Sequence, residues 1–191
     1  SAETGNLGLP NSPHTDTHML YLSDANYNAD RGNKPYGNCS GCTERATEVY
    51  NGAGGSSGVY PGNSNWVQPP DGNTGSFQVW GKRKGDMARA VLYMAIRYEG
   101  GTHPTTGQSE PDLELTDNAG LIVATSSSPA YMGLLSTLIA WHQADPPDAA
   151  ELERNEVIYS FQGNRNPFID HPEWATSGLF TSAKPATCQL N

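Results

Sequence analysis

An aspartate, an asparagine and an arginine recur at helical spacing in DANYNADRGNKPYGN, residues 24–38. On a helix starting near Asp24, Asn28 lies one turn on and Arg31 follows along the same side. His18 precedes them in THMLYLSD, which reads as a strand. A carboxylate, an amide oxygen, an imidazole and a guanidinium thus come within reach of one another. An amide oxygen is a hard, neutral donor suited to Mg²⁺, which keeps several waters and takes one or two protein ligands. Asparagine is a mediocre helix former because its amide competes for backbone hydrogen bonds, so its place at position 28 asks for a reason. The plainer alternative is that Asp24 and Asn28 only cap and brace the helix.

The elements that must hold these groups are legible in outline. Thr17, Met19 and Tyr21 alternate with His18, Leu20 and Leu22 in the expected strand. Ser23 or Asp24 is placed to cap a helix running to about Arg31, with Gly32 as a left-handed stop. From Asn38 to Gly75 the chain reads mostly as loop, a Gly-rich excursion pinned by Tyr60, Trp66 and Trp80; loops of that length are commonly functional. In GDMARAVLYMAIRYEG, Met87, Ala90, Val91, Met94, Ala95 and Tyr98 form one apolar stripe, and Asp86 sits where an N-cap belongs. AYMGLLSTLIAWHQAD reads as a second core helix, with Met132, Leu135, Leu138 and Ile139 inward. DAAELERNEVIYSFQGN reads as a third, capped by Asp148 and closed by Gly163. No internal repeat is present. The fold class expected is α+β, a mainly helical body with a small antiparallel β element, in one domain over residues 1–191.

Composition narrows the class of protein. Hydrophobic residues make up 36% and charged residues 16%, with 21 Gly and 14 Pro, so polar neutral residues replace charge on the surface, as in many exported proteins. That charged fraction is too low for a highly charged disordered chain. A net charge of -9 argues globally against a polyanion-binding surface. Lys82, Arg83 and Lys84 in GKRKGD form a local exception, and Arg31 and Lys34 flank the Asn-rich stretch. No apolar run is long enough to span a bilayer. The chain starts without a charged-then-apolar leader, so a processed form is expected if the protein is exported.

TDTHMLYLSDANYNADRGNKPYGNC resembles the second half of the active-site motif of the endonuclease I family of periplasmic and secreted bacterial nucleases. Asp16, His18 and Leu20 match the family's strand, with Met19 where a second His is usual. Asp24, Asn28, Arg31, Gly32 and Asn33 match its helix. GDMARAVLYMAIRYEGG, ELTDNAGLI, AYMGLLSTLIAWHQADP and ERNEVIYSFQGNRNPFIDHPEW extend the resemblance, in order, over nearly the whole chain. It implies a ββα-metal (His-Me) finger and a metal-dependent endonuclease acting on DNA, with RNA as a second substrate, secreted or periplasmic and monomeric. It also implies Asn28 as a ligand of Mg²⁺, with Mn²⁺ or Ca²⁺ able to substitute, and His18 and Arg31 in supporting catalytic positions. Arg97 and Arg165 join Arg31 as candidates to hold substrate phosphate, while Asn26 and Asn33 are assigned to turns and caps.

The family carries an Arg-Glu-His motif on the first finger strand, whose His activates water and whose Glu binds the metal. No Arg-Glu-His occurs in these 191 residues. A fragment lacking that strand is therefore expected, with the missing segment lost or held in a separate N-terminal peptide. Substitution of the base by His14 or His18 is the less favoured reading, and a degenerate domain that binds nucleic acid or a surface polymer without cutting is the non-enzymatic one. QGNRNPFIDHP reads as a rigid C-terminal turn, in which Asp170 and His171 are placed to hydrogen-bond. His14 and His18 with Cys39 and Cys42 carry zinc-like spacing, but a small disulfide ring is favoured in an oxidising compartment, with Cys188 left over. His103 and His142 read as ordinary loop and helix-surface residues.

Overall fold

A computed structural model describes residues 13–45, 64–69, 74–102, 107–123 and 128–182. Tyr60, His103 and Cys188, named above, lie outside the described residues. The elements run α1 (Ala25–Arg31), β1 (Thr43–Arg45), β2 (Asn65–Gln68), β3 (Ser76–Gln78), α2 (Lys84–Arg97), β4 (Leu113–Thr116), β5 (Ala130–Leu134), α3 (Leu135–Ala144), α4 (Ala149–Gln162), α5 (Pro167–Asp170) and α6 (Ser177–Thr181). Strands β1, β2 and β3 form an antiparallel sheet, and β4 pairs in parallel with β5. The α+β class read from the sequence is the architecture found.

Helix α2 is the axis of the core. Its stripe is buried as the periodicity requires, and burial extends around the whole helix from Gly85 to Ala95. Ala88, Leu92 and Leu138 of α3 are fully shielded, and a fully buried leucine contributes roughly 1.5–3 kcal/mol. Close approach at the start of α2 requires Gly85. A Cβ there would lie 1.9 Å from the Asp145 carbonyl oxygen at the end of α3, while the Gly85 N–H donates to Asp145 Oδ2 at 2.9 Å. Asp86 is not the N-cap expected of it. The helix begins two residues earlier, leaving Asp86 in the first turn, where it meets Arg83 at 2.5 Å.

Four further expectations are corrected. The segment THMLYLSD is not a strand: turns occupy residues 13–15 and 17–19, and residues 20–24 carry no regular structure or ladder partner. Its donors go elsewhere, the His18 N–H to Asp16 Oδ1 (3.0 Å), the Met19 N–H to the Asp16 carbonyl (3.1 Å) and the Thr17 N–H to Gln162 Oε1 (2.9 Å). The second core helix starts only at Leu135, because residues 130–134 are recruited as β5 beside β4, with Pro129 before them and Gly133 within the run. The long loop contains β1 and β2, while α1 closes on Gly32 at φ 51°, ψ −125°, a positive φ outside the left-handed helical region.

The chain leaving α1 is stitched to the antiparallel sheet. The Phe77 N–H donates to the Pro35 carbonyl (3.0 Å) and the Gly37 N–H to the Phe77 carbonyl (3.1 Å). Tyr36 packs edge-on against Phe77 and 6.5 Å from the Trp141 ring. This seam fixes where α1 stands relative to α3. Helix α4 is capped by Asp148, whose side chain accepts from the Glu151 N–H, and ends on Gly163 in the left-handed conformation, as read from the sequence.

Candidate active site

Helix α1 presents the first group of candidates. Asp24 is its N-cap, accepting the Asn26 N–H at 2.8 Å, so its carboxylate is committed to the helix. Asn28 is exposed, and among the described residues its side-chain amide has no hydrogen-bond partner. Arg31 stands one turn further, where a cation suits the helix C-terminus. Its guanidinium lies 4.5 Å over the Tyr36 ring, and its buried Nε has no partner.

His18 belongs to a different constellation. Its ring is 1% exposed, with Nε2 3.2 Å from the Asn164 carbonyl and its centroid 4.6 Å from that of Tyr93. Nε2–H donating to that carbonyl leaves Nδ1 a bare, buried acceptor without a partner. Beside it Asp16 receives Tyr93 Oη (2.8 Å), Tyr98 Oη (3.0 Å) and Gln162 Nε2 (2.9 Å). Arg154 donates to the Thr17 (2.6 Å) and Leu20 (2.9 Å) carbonyls and lies over Tyr21. No hydrogen bond or ring contact joins His18 to Asn28 or Arg31 among the described residues. The structure thus puts Asn28 and Arg31 on one helix and His18 in the web that anchors the approach to it.

Burial lowers the His18 imidazole below its ordinary range, partly offset by its bond to Asn164 and the charge of Asp16. Burial likewise lowers His142, which is not the surface residue expected but a core one. Its Nε2 donates to the Pro172 carbonyl at 2.8 Å and its Nδ1 faces Arg89 Nη1 at 3.5 Å, which fits the neutral tautomer. The folded state therefore binds fewer protons than the unfolded chain just below pH 6.5, and stability must fall as pH drops through that region. Melting temperatures taken from pH 7.5 down to 5 are expected to fall for the protein, and less steeply for His18→Gln.

Arg97 is paired with Glu110 at 3.7 Å and lies over the ring of Tyr98. Arg165 makes a two-pronged bond to Asp170 (2.7 and 2.8 Å) and also engages Glu156. Asp170 receives Arg165 rather than His171, which instead meets Glu173 and stacks on Trp174. The Arg165 pair holds the Asp170 carboxyl below the usual range. These bonds tie the turn read from QGNRNPFIDHP to α4 and α5. The zinc arrangement is excluded, because Cys39 and Cys42 are joined as a disulfide and His18 is buried elsewhere. Among the described residues no group of three or more His, Cys, Asp or Glu is placed to hold a metal. For Mg²⁺ the residues present fit as far as one neutral oxygen, that of Asn28, within the one or two protein ligands this ion takes.

Sequence reasoning missed Asp16 as a hub and missed Arg154, Gln162 and Asn164 around it. The signal available was the polar spacing of Arg154 and Gln162 along one face of α4.

Comparison with known proteins converges on the same class. The Endonuclease I family model matches residues 4–173, and the chain belongs to that family. It is 41% identical over 175 residues to an extracellular ribonuclease of Bacillus amyloliquefaciens, covering 90% of this chain and 48% of the relative. It is also 41% identical over 172 residues to an extracellular ribonuclease of Bacillus subtilis (strain 168), covering 90% and 49%. The chain thus spans about half the length of these curated relatives. No solved structure matches it.

Proposed function

We propose that this chain is the portion of an extracellular, divalent-metal-dependent endonuclease that binds the cation and the scissile phosphate. The observation that carries this reading is the unpartnered amide of Asn28, one turn from Arg31, in a chain of the Endonuclease I family. The names of the two Bacillus relatives support RNA as a substrate beside DNA. Their extracellular description supports secretion, and no helix among the described residues is long and apolar enough to cross a membrane.

Asn28 would hold Mg²⁺, with Mn²⁺ or Ca²⁺ as substitutes. A bound cation of this kind supplies Lewis-acid stabilisation of charge on a phosphoryl oxygen. Arg31 offers its guanidinium to the same phosphate, held over Tyr36 rather than neutralised by a carboxylate. His18 is read as a positioning residue: a buried ring with its Nε2 on a carbonyl cannot reach an attacking water. It fixes residues 16–21, which lead into α1. No residue of this chain is assigned the task of activating water. Contacts to backbone phosphate carry no base information, so little sequence preference is expected.

The second reading, a domain that binds nucleic acid without cutting it, rests on the lack of an Arg-Glu-His triplet in the sequence. Incubating RNA and supercoiled plasmid with the chain and with the whole protein, in Mg²⁺ or in EDTA, separates the two. Cutting by the whole protein in Mg²⁺ alone is expected. Inertness of both in Mg²⁺ would leave only the binding reading.

A further inference from the structure

Most cations of this acidic protein are already spent on partners. Among the described residues, Arg45, Arg83, Arg89, Arg97 and Arg165 lie against carboxylates. Arg154 and the buried Lys34 are turned onto backbone carbonyls. Among the described residues three remain without an ion pair: Arg31, Lys82 and Lys84. Each of the three stands over an aromatic ring. Arg31 lies 4.5 Å from the centroid of Tyr36, Lys84 5.1 Å from that of Trp141 and Lys82 5.9 Å from that of Trp80.

The rings are connected. Tyr36 and Trp141 are 6.5 Å apart, Trp141 Nε1 donates to Asn38 Oδ1 at 2.8 Å, and Lys84 Nζ approaches the same oxygen at 3.5 Å. Trp80 and Lys82 precede Lys84 directly in the chain. Arg31 at the end of α1 and Lys84 at the start of α2 are therefore linked across the Tyr36–Trp141 pair, with Lys82 two residues before Lys84. A ring face holds a cation in place by its quadrupole without cancelling its charge. A carboxylate would cancel it. In a protein of net charge -9, these three cations, not neutralised by a carboxylate, are where an incoming anion finds local positive charge.

We infer that Arg31, Lys84 and Lys82 form a ridge that tracks the phosphates of a single nucleic-acid strand leading away from Asn28. This inference rests on the proposed function and extends it, assigning the GKRKGD segment to the substrate path. The rings hold the cations in place without neutralising them, and the acidic remainder of the surface repels the strand from other paths. The contact is with backbone, so it is indifferent to base identity and sensitive to salt.

The test is binding without cutting. Fluorescence anisotropy of a fluorescein-labelled oligothymidylate, in EDTA over a series of NaCl concentrations, is compared for the protein and for Lys82→Gln/Lys84→Gln. Each phosphate contact to a single strand contributes a slope of about −0.7 in log K against log salt. The double variant is therefore expected to flatten the slope by about 1.4 and to weaken binding roughly tenfold or more at low salt. Lys82→Arg/Lys84→Arg is expected to keep the slope. Should loss of Lys84 from Trp141 impair folding, Lys82→Glu, an exposed side chain, must still weaken binding. An unchanged slope and affinity in the double variant, or in Lys82→Glu, overturns the ridge even if the protein cuts nucleic acid. A protein that never cuts but shows the lysine-dependent slope would refute the nuclease reading and leave the ridge standing.

Discussion

Replacing Arg89 with alanine is expected to lower the free energy of unfolding by about 3–5 kcal/mol. The guanidinium is fully buried and serves four groups at once. Nε donates to Glu151 Oε1 at 2.7 Å, Nη2 to Glu151 Oε2, and Nη1 to the Asp145 carbonyl at 2.7 Å and toward His142. Asp86 stands 3.5 Å away. Truncation strands the Glu151 carboxylate in the core, and that loss exceeds the net worth of the pair itself. Burial already pushes the Glu151 carboxyl above its ordinary range, and Arg89 is what pulls it back. Without Arg89 the carboxyl must rise further. A raised carboxyl favours the folded state below the unfolded pKa and loses that benefit as pH climbs, so the deficit should be smaller at pH 4.5 than at pH 8. Urea unfolding at both pH values checks this. Arg89→Met combined with Glu151→Leu should recover most of the stability; a double variant as unstable as Arg89→Ala would assign the loss to packing instead.

Asn28→Ala should do the reverse, leaving the fold intact and removing activity. The side chain is exposed, with no hydrogen-bond partner among the described residues, and alanine is the better helix former by up to about 0.7 kcal/mol. A melting temperature unchanged or slightly raised is expected. Loss of the only neutral oxygen assigned to the cation should cost on the order of 100-fold in RNA hydrolysis by the whole protein. Asn28→Asp keeps an oxygen at that place and should retain most of the rate. The two readouts moving in opposite directions mark a residue kept for chemistry rather than for the helix. Full hydrolysis by Asn28→Ala would remove Asn28 from the site.

What could be read in advance followed the chemistry of each signal. Helix α1 was legible because Asp24 is a strong cap and Gly32 a strong stop; α2 was legible because its apolar period is unbroken. The loss of the expected strand at residues 17–22 came from side chains. Asp16 and Gln162 take up the donors that a ladder would need, and alternation of residue types cannot show that. The inward face of α4 was invisible for a related reason. Glu151, Asn155 and Ile158 are its buried residues, with Gln162 one turn on, so the helix turns a largely polar stripe inward and apolar side chains such as Val157 and Phe161 outward. A hydrophobic period points the wrong way there. For the candidate site, the placement of Asn28 and Arg31 along one helix was legible from spacing, whereas the burial of His18 required knowing what lies 146 residues along the chain.

The indole of Trp141 is 3% exposed, bound through its nitrogen to Asn38, with an ammonium poised over its face. Its emission arises in a dry setting under a fixed local charge, whereas Trp174 is half open to water. Whatever docks on that ammonium alters the field its excited state experiences. The molecule thus carries an optical gauge of its own surface, readable without attaching any dye.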